Sequence, residues 1–206
     1  HRRQDRLIES SKLLEKALTL DPESTEVRKA LLPVFIALGR EEDALSLGRE
    51  VLRTSPTDVG TAFQTARLLR GAGKLSEAIG VLQRACAGKE ATEKPESLLM
   101  MLSDLYELHE RDENFPAALT TQERIIATIT DHREQLLFGN GFTKEDLLNT
   151  LAKAHERLGR CCIRTKDFAK ATTAFRAARD TLMKIEDPDA KRLAGRINWN
   201  ICEMAF

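Results

Sequence analysis

Four basic residues recur at the spacing of one helix face in the last third of this sequence. They are Lys153, Arg157, Arg160 and Arg164. At 100° per residue these side chains lie within about 60° of one another on a helix, opposite His155 and Leu158. Arginine pairs with a carboxylate through two parallel hydrogen bonds. This basic stripe could therefore bind an acidic peptide or a C-terminal carboxylate, and Arg67 and Arg70 could extend it. The alternative is an ordinary solvated face, because a helix buried on one side needs a polar side as well.

Charge is balanced over the whole chain but segregated along it. The 206 residues include 32 Lys and Arg and 32 Asp and Glu, which argues against a nucleic-acid partner. Residues 153–184 contain nine basic and three acidic residues, whereas residues 96–114 contain one basic and six acidic residues. We therefore expect a protein partner, and segregated charge on this chain favours a partner whose charges are segregated to match.

Other residues capable of chemistry do not form a recognisable site. His109, His132 and His155 fall on separate predicted helices, and none has a second ligand at a spacing such as i, i+4. A disulfide between the neighbours Cys161 and Cys162 would be strained within a helix. No catalytic triad or carboxylate pair is apparent, so we predict no metal, no cofactor and no enzymatic activity.

The remaining composition favours a cytoplasmic protein outside the membrane. The four cysteines form no C-x-x-C pair, which is consistent with free thiols in a reducing compartment. No apolar run approaches the roughly 18 residues that suggest a membrane span. The first helix lacks a partner before it, so we expect the chain to be part of a longer protein.

A period of 34 residues organises the first part of the sequence. Gly39 recurs as Gly73, Ala44 recurs as Ala78, and Pro22 and Pro56 stand 34 residues apart. A fixed period of this size indicates a repeat architecture. Ala, Leu, Glu, Lys and Arg are abundant, and because these residues favour helices we predict an all-α fold.

The predicted units end at turn residues and prolines. They are residues 1–24, 25–58, 59–92, 96–138 and 144–188, with a terminal helix at 189–206. Residues 88–97 are predicted as a loop, a long helix is predicted to run from Phe115 through Leu137, and a turn is predicted at 139–141. Pro33 is expected to kink its helix, and Gly48 is expected to weaken packing. Thr143 and Asp146 have the spacing of a capping box.

These units resemble the tetratricopeptide repeat. The clearest match runs through His155, Leu158, Gly159, Cys162, Ala171, Phe175 and Ala178. The unit at 96–138 matches through Leu102, Ser103, Tyr106 and Ala118, with about three extra residues in its turn. The resemblance implies a right-handed α-α superhelix, a solenoid of about five helix-turn-helix repeats. It also implies a concave groove, lined by the first helix of each pair, that binds peptides or helices.

We therefore predict a non-catalytic protein-interaction scaffold that binds a peptide or helix of a partner. One alternative is a structural repeat segment that docks other domains of its own longer chain. The apolar surface of the terminal helix, including Trp199 and Phe206, favours that alternative and also suggests self-association. The other alternative is a helical regulatory domain of an enzyme.

Overall fold

The structure is a computed structural model that describes residues 2–138 and 142–203. These residues form helices and contain no strand, which confirms the predicted all-α class. The helices are α1 (Arg2–Leu20), α2 (Thr25–Ala37), α3 (Glu41–Thr54), α4 (Val59–Gly71), α5 (Leu75–Ala87), α6 (Lys89–Glu93), α7 (Pro95–Arg111), α8 (Phe115–Asp131), α9 (Arg133–Phe138), α10 (Lys144–Arg164), α11 (Phe168–Leu182) and α12 (Pro188–Glu203).

The chain divides into two compact units. The first is His1–Glu93 and the second is Lys94–Phe206. In the first unit, α2 packs on α1 and α3, and α4 packs on α3 and α5. In the second unit, α8 packs on α7 and α10, and α11 packs on α10 and α12. The assignment of all 206 residues to one repeat array stays a prediction.

The turn inside each helix pair has the same backbone geometry in all four complete pairs. Its central residue has a positive φ, with values of 74°, 73°, 53° and 63° at Gly39, Gly73, Glu113 and Lys166. The next residue donates its backbone N–H to the carbonyl five residues earlier, as from Asp167 to Cys162 at 2.8 Å. Such a left-handed residue and 6→1 hydrogen bond close the C-terminus of a helix. The turn therefore sets the register of every pair.

This register corrects the predicted match of the fourth unit. A fully buried alanine follows the left-handed residue by five positions in every pair. These alanines are Ala44, Ala78, Ala118 and Ala171. The prediction of about three extra residues in the fourth turn is therefore wrong. The left-handed residues lie 34, 40 and 53 residues apart along the chain. The added residues lie between pairs, in the segments that contain α6 and α9.

Two other predicted boundaries differ from the structure. Residues 88–97 were expected to form a loop, but α6 occupies Lys89–Glu93 and α7 begins at Pro95. The expected long helix ends at Asp131, and α9 follows the break at His132. The predicted turn at 139–141 and the residue Phe206 lie outside the described residues. Helix α2 continues through the exposed Pro33, and the predicted kink stays a prediction.

Two glycines allow close approach of neighbouring helices. A Cβ atom on Gly48 would lie 2.2 Å from the Thr65 hydroxyl oxygen, so the bare backbone lets α3 approach α4. The expectation that Gly48 weakens packing is therefore wrong. A Cβ atom on Gly159 would lie 2.9 Å from the Phe175 ring, so the bare backbone lets α10 approach α11.

Helix α10 presents one face to the core and leaves another open. The capping box predicted at Thr143 and Asp146 is present, with the Asp146 N–H donating to the Thr143 hydroxyl at 3.0 Å. Leu158 and Cys162 belong to the apolar core that α10 shares with α11 and α12. The opposite face therefore remains available to carry charged groups.

Candidate functional site

An open cleft of about 720 Å³ lies between α7 and α10 in the second unit. We call it the acid–base cleft. Its lining residues are Glu107, Glu110, Arg111, Glu113, Phe115, Arg157, Arg160, Cys161 and Arg164. Helix α10 contributes the arginines of the basic stripe, while α7 and the turn after it contribute the glutamates. The two walls of the cleft therefore carry opposite charge.

The structure brings together three of the six predicted binding residues. Those three are Arg157, Arg160 and Arg164. Lys153 is exposed on the same helix but does not line the cleft. Arg67 and Arg70 belong to α4 in the first unit. Arg67 is exposed and lies over the Phe63 ring at 5.8 Å. The role of all six residues in binding stays a prediction.

Two of the cleft arginines stack on aromatic rings. The Arg157 guanidinium lies 4.9 Å from the centroid of the Tyr106 ring, and that of Arg164 lies 5.4 Å from the centroid of the Phe115 ring. Such contacts stabilise by about 0.5–1 kcal/mol at exposed sites. They also restrict the side chains while leaving the N–H edges of each guanidinium free to donate. The arginine wall is therefore partly pre-organised.

Sequence reasoning missed both aromatic partners. Counted from the left-handed residue of its turn, Tyr106 occupies the position that Gly159 occupies in the next pair. The predicted register of the fourth unit was shifted by three residues, so it placed Tyr106 elsewhere. Counting residue positions back from the turn, rather than matching the apolar pattern, would have placed the large Tyr106 at the position that Gly159 occupies in the last pair.

Two of the glutamates that line the cleft face the arginines without pairing with them. Glu110 and Glu113 form no ion pair among the described residues, and Arg160 pairs only loosely with Glu156 on its own helix, at 3.8 Å. Arg111 at the end of α7 adds a further positive charge to the cleft. The acidic composition of residues 96–114 is visible in the sequence, but its position opposite α10 depends on how the pairs pack.

Two titratable groups beside the cleft arginines are buried. Cys161 and Tyr106 are buried, with about 1% of each side chain exposed. Burial, followed by the nearby Glu110 carboxylate, raises the pKa of the Cys161 thiol to about 11. Burial also raises the pKa of Tyr106, whose hydroxyl has no hydrogen-bond partner of normal geometry within the described residues. Neither group is ionised near neutral pH, so neither provides a nucleophile.

A second, smaller cleft of about 320 Å³ lies between α10 and α12. We call it the tryptophan cleft. Its lining residues are Glu156, Leu193, Arg196, Ile197 and Trp199. The Trp199 side chain is 67% exposed. Glu156 of this cleft and Arg160 of the acid–base cleft both belong to α10, so the same helix lines both clefts.

The three histidines considered above lie at different elements, with His109 in α7, His132 between α8 and α9, and His155 in α10. His109 is buried, His155 is half-buried, and the Nδ1 atom of each has no hydrogen-bond partner among the described residues. Burial lowers the pKa of both imidazoles. Within residues 2–138 and 142–203, no three His, Cys, Asp or Glu side chains are placed to hold a metal ion. None of the described helices is both long and apolar enough to cross a bilayer.

The sequence matches no protein-family model and no curated protein. Solved structures are similar in fold. MamA has a TM-score of 0.62 at 16% identity, covering 89% of this chain and 86% of MamA. TPR-like repeats from Podosopora anserina, described as a kinesin light chain, have a TM-score of 0.59 at 17% identity, covering 90% and 92%. The fold is that of tetratricopeptide-like repeat proteins.

A third structure extends the match along almost all of this chain. BtubC (BKLC) from P. vanneervenii has a TM-score of 0.59 at 17% identity and covers 99% of this chain and 83% of its own. The resemblance to the tetratricopeptide repeat is thus confirmed at the level of the fold. In this chain α7 and α10 are the first helices of successive pairs, and α12 follows the second of these pairs.

Proposed function

We propose that this protein is a non-catalytic interaction scaffold that binds a peptide or helix of a partner protein. The acid–base cleft is the observation that supports this most directly. The cleft has a volume of about 720 Å³, and Glu110 and Glu113 face the arginines of α10 across it. It is large enough for several side chains of a bound segment. The tetratricopeptide-like fold provides rigid first helices on which such a surface can be built.

The charges of the cleft define the chemistry of the partner. Acidic side chains or a terminal carboxylate would bind the arginines of α10 through charge-assisted hydrogen bonds. A uniformly acidic segment would be repelled by Glu110 and Glu113 on the opposite wall. The partner that fits best therefore presents acidic groups to α10 and basic groups to α7.

A capture experiment with matched variants tests the scaffold function. We expect the double variant Arg157→Glu/Arg160→Glu to lose the partner that the wild-type chain captures, because both reversals place negative charge on the arginine wall. Lys184→Glu reverses an exposed charge that lies outside both the cleft and the predicted basic stripe, so it should retain that partner. The scaffold proposal fails if the double variant captures the same proteins as the wild type, with circular dichroism confirming that it is folded.

Exposed apolar side chains support a second candidate, a structural segment that docks other domains of a longer chain. Trp199, Met183 and Phe168 are 67%, 58% and 53% exposed in the second unit. A structural segment should capture no partner until flanking sequence is restored. Self-association through α12 would instead give a dimer in sedimentation velocity that Trp199→Ala dissociates.

A further inference from the structure

We propose that a small pocket between α8 and α10 binds a carboxylate that carries a short alkyl chain. The chain would lie among aliphatic side chains, and the carboxylate would bind Arg133 and Lys144. We call this site the leucine pocket. It belongs to the second unit, and none of its lining residues lines the acid–base cleft or the tryptophan cleft. Binding at this pocket therefore does not depend on the scaffold function proposed above.

The walls of the leucine pocket are mainly aliphatic. Ile129 of α8 and Leu147 of α10 are buried, and the partly buried Leu148 and Leu151 complete the apolar lining. Thr130 adds a hydroxyl group, which already donates to a backbone carbonyl of its own helix at 2.8 Å. These walls offer little to a polar ligand, whereas an alkyl chain would remove their apolar surface from water.

The volume of the leucine pocket restricts the ligand to one small apolar group. The pocket measures about 200 Å³, and an apolar cavity of about 150 Å³ is known to hold benzene. By that comparison, the leucine pocket accommodates an alkyl chain of about six carbons but not the chain of a membrane lipid. The ligand is therefore a small molecule.

Two exposed cations line the same pocket and define the charge of the ligand. Arg133 begins α9 and Lys144 begins α10, and neither forms an ion pair or a side-chain hydrogen bond among the described residues. Their acidic neighbours along the chain, Asp131, Glu134 and Glu145, do not line the pocket. A carboxylate would therefore meet two available cations, one of them an arginine that can donate to both oxygens.

Three small probes test this ligand class. Hexanoate carries both the chain and the charge, hexan-1-ol carries the chain alone, and acetate carries the charge alone. Binding to the full 206-residue chain is followed by amide chemical shifts at neutral pH, which report affinity and location together. We expect hexanoate to bind about fivefold more tightly than hexan-1-ol and about tenfold more tightly than acetate. The shift changes should centre on Leu147 and Leu151 rather than on Arg157 and Arg160.

Matched variants separate recognition of the charge from recognition of the chain. Arg133→Gln/Lys144→Gln should weaken hexanoate about fivefold and leave hexan-1-ol unchanged, because only the cations are removed. Leu151→Phe should weaken both probes, because the larger side chain occupies the pocket. Arg176→Gln/Lys184→Gln is the control, since it removes two exposed charges outside the pocket, and it should leave both affinities unchanged. If circular dichroism shows that Leu151→Phe does not fold, the double charge variant and its control remain as the test.

Four outcomes would overturn the proposed carboxylate site. Equal affinities for hexanoate and hexan-1-ol would exclude recognition of the charge, and shift changes spread over both units would indicate non-specific binding. Hexanoate that binds only after Phe138→Ala would mean that this side chain, which is 84% exposed, fills the pocket in solution. Tighter binding of a short peptide that ends in leucine would assign the pocket to a peptide terminus. None of these results changes the test of the acid–base cleft, which uses Arg157→Glu/Arg160→Glu.

Discussion

At the residue scale, single positions deviate from the repeat in ways that the shared turn register makes visible. The position nine residues after the left-handed residue holds Gly48, Leu82, Gln122 and Phe175 in the four pairs. Three of these residues are apolar or lack a side chain, whereas Gln122 is polar and fully buried. Neither its Oε1 nor its Nε2 has a hydrogen-bond partner among the described residues. Gln122 is therefore a local source of instability.

Replacing Gln122 by methionine should stabilise the protein. The two side chains have similar shape, so the change removes two buried unpaired polar atoms and leaves packing nearly unaltered. An unsatisfied buried polar group costs about 1–3 kcal/mol, and we expect a gain of roughly 1 kcal/mol in the free energy of unfolding. Urea denaturation measures it. An unchanged or lower value would mean that the amide is hydrogen-bonded in solution.

The close approach at Gly48 should make this position intolerant of any side chain. An alanine Cβ would lie 2.2 Å from the hydroxyl oxygen of the buried Thr65. Forcing one extra carbon into a packed core typically costs about 1–3 kcal/mol, and we expect Gly48→Ala to lower the free energy of unfolding by that amount. Gly71→Ala is the control, because its Cβ would meet nothing within 4 Å. Equal melting temperatures for the two variants would contradict the close contact.

At the scale of elements, the turn inside each pair is the constant feature, and the connections between pairs vary. Two turns place glycine at the left-handed residue, whereas two others place Glu113 and Lys166 there. Residues other than glycine and asparagine are strained in this left-handed conformation by about 1–2 kcal/mol. The same backbone geometry is therefore reached at different cost in different pairs.

Lys166→Gly should stabilise the last pair. Lys166 is exposed with φ 63°, so its replacement relieves backbone strain and removes no buried contact. Part of the gain is offset by the greater freedom of glycine in the unfolded chain, leaving about 0.5–1 kcal/mol. Gly39→Ala, at φ 74°, should lower stability by a similar amount. Thermal melts of both variants would refute this reasoning if their shifts had the same sign.

The repeat fold could be predicted from the sequence because its main signals are local. The recurrence of Gly39 as Gly73 and of Ala44 as Ala78 fixed the period, and the stripe on α10 followed from helical spacing. The partners of that stripe could not be predicted. Glu110 and Tyr106 face Arg157 only because the last two pairs stack across an enlarged connection, and no local pattern encodes that packing. The short helices α6 and α9 were missed for the same reason, since their form depends on the pairs that they join.

At the scale of the whole molecule, burial of histidine links stability to pH. Burial lowers the pKa of His109 and His155 in the folded chain, so the unfolded chain binds their protons more readily. Their neutral forms therefore favour the folded state above the unfolded pKa of about 6.5, and stability falls as the pH drops below it. Burial tends to raise the pKa of Asp58, but its hydrogen bonds, above all that with Lys29, outweigh burial and lower the pKa. This carboxylate therefore loses its contribution to folding stability only at more acidic pH.

Unfolding at two pH values isolates the histidine effect. Between pH 7.5 and 5.5 the wild-type chain should lose about 1–2 kcal/mol of stability, because each buried imidazole contributes up to about 1.4 kcal/mol per pH unit. His109→Met/His155→Met should lose less than half as much over the same interval. Urea melts at both pH values measure the difference. A double variant that is as sensitive to pH as the wild type would exclude these two groups as the cause.

The uneven intervals between turns show where this chain tolerates added length. The left-handed residues lie 34, 40 and 53 residues apart, while each turn keeps its own length and its buried alanine. Extra residues are therefore accepted only in the segments that connect one helix pair to the next. A loop, a tag or a small domain grafted into the segment that contains Lys89–Glu93 should leave the fold intact, whereas the same graft at Gly39 should not. The connections between pairs are therefore the natural sites at which such a scaffold can gain new parts.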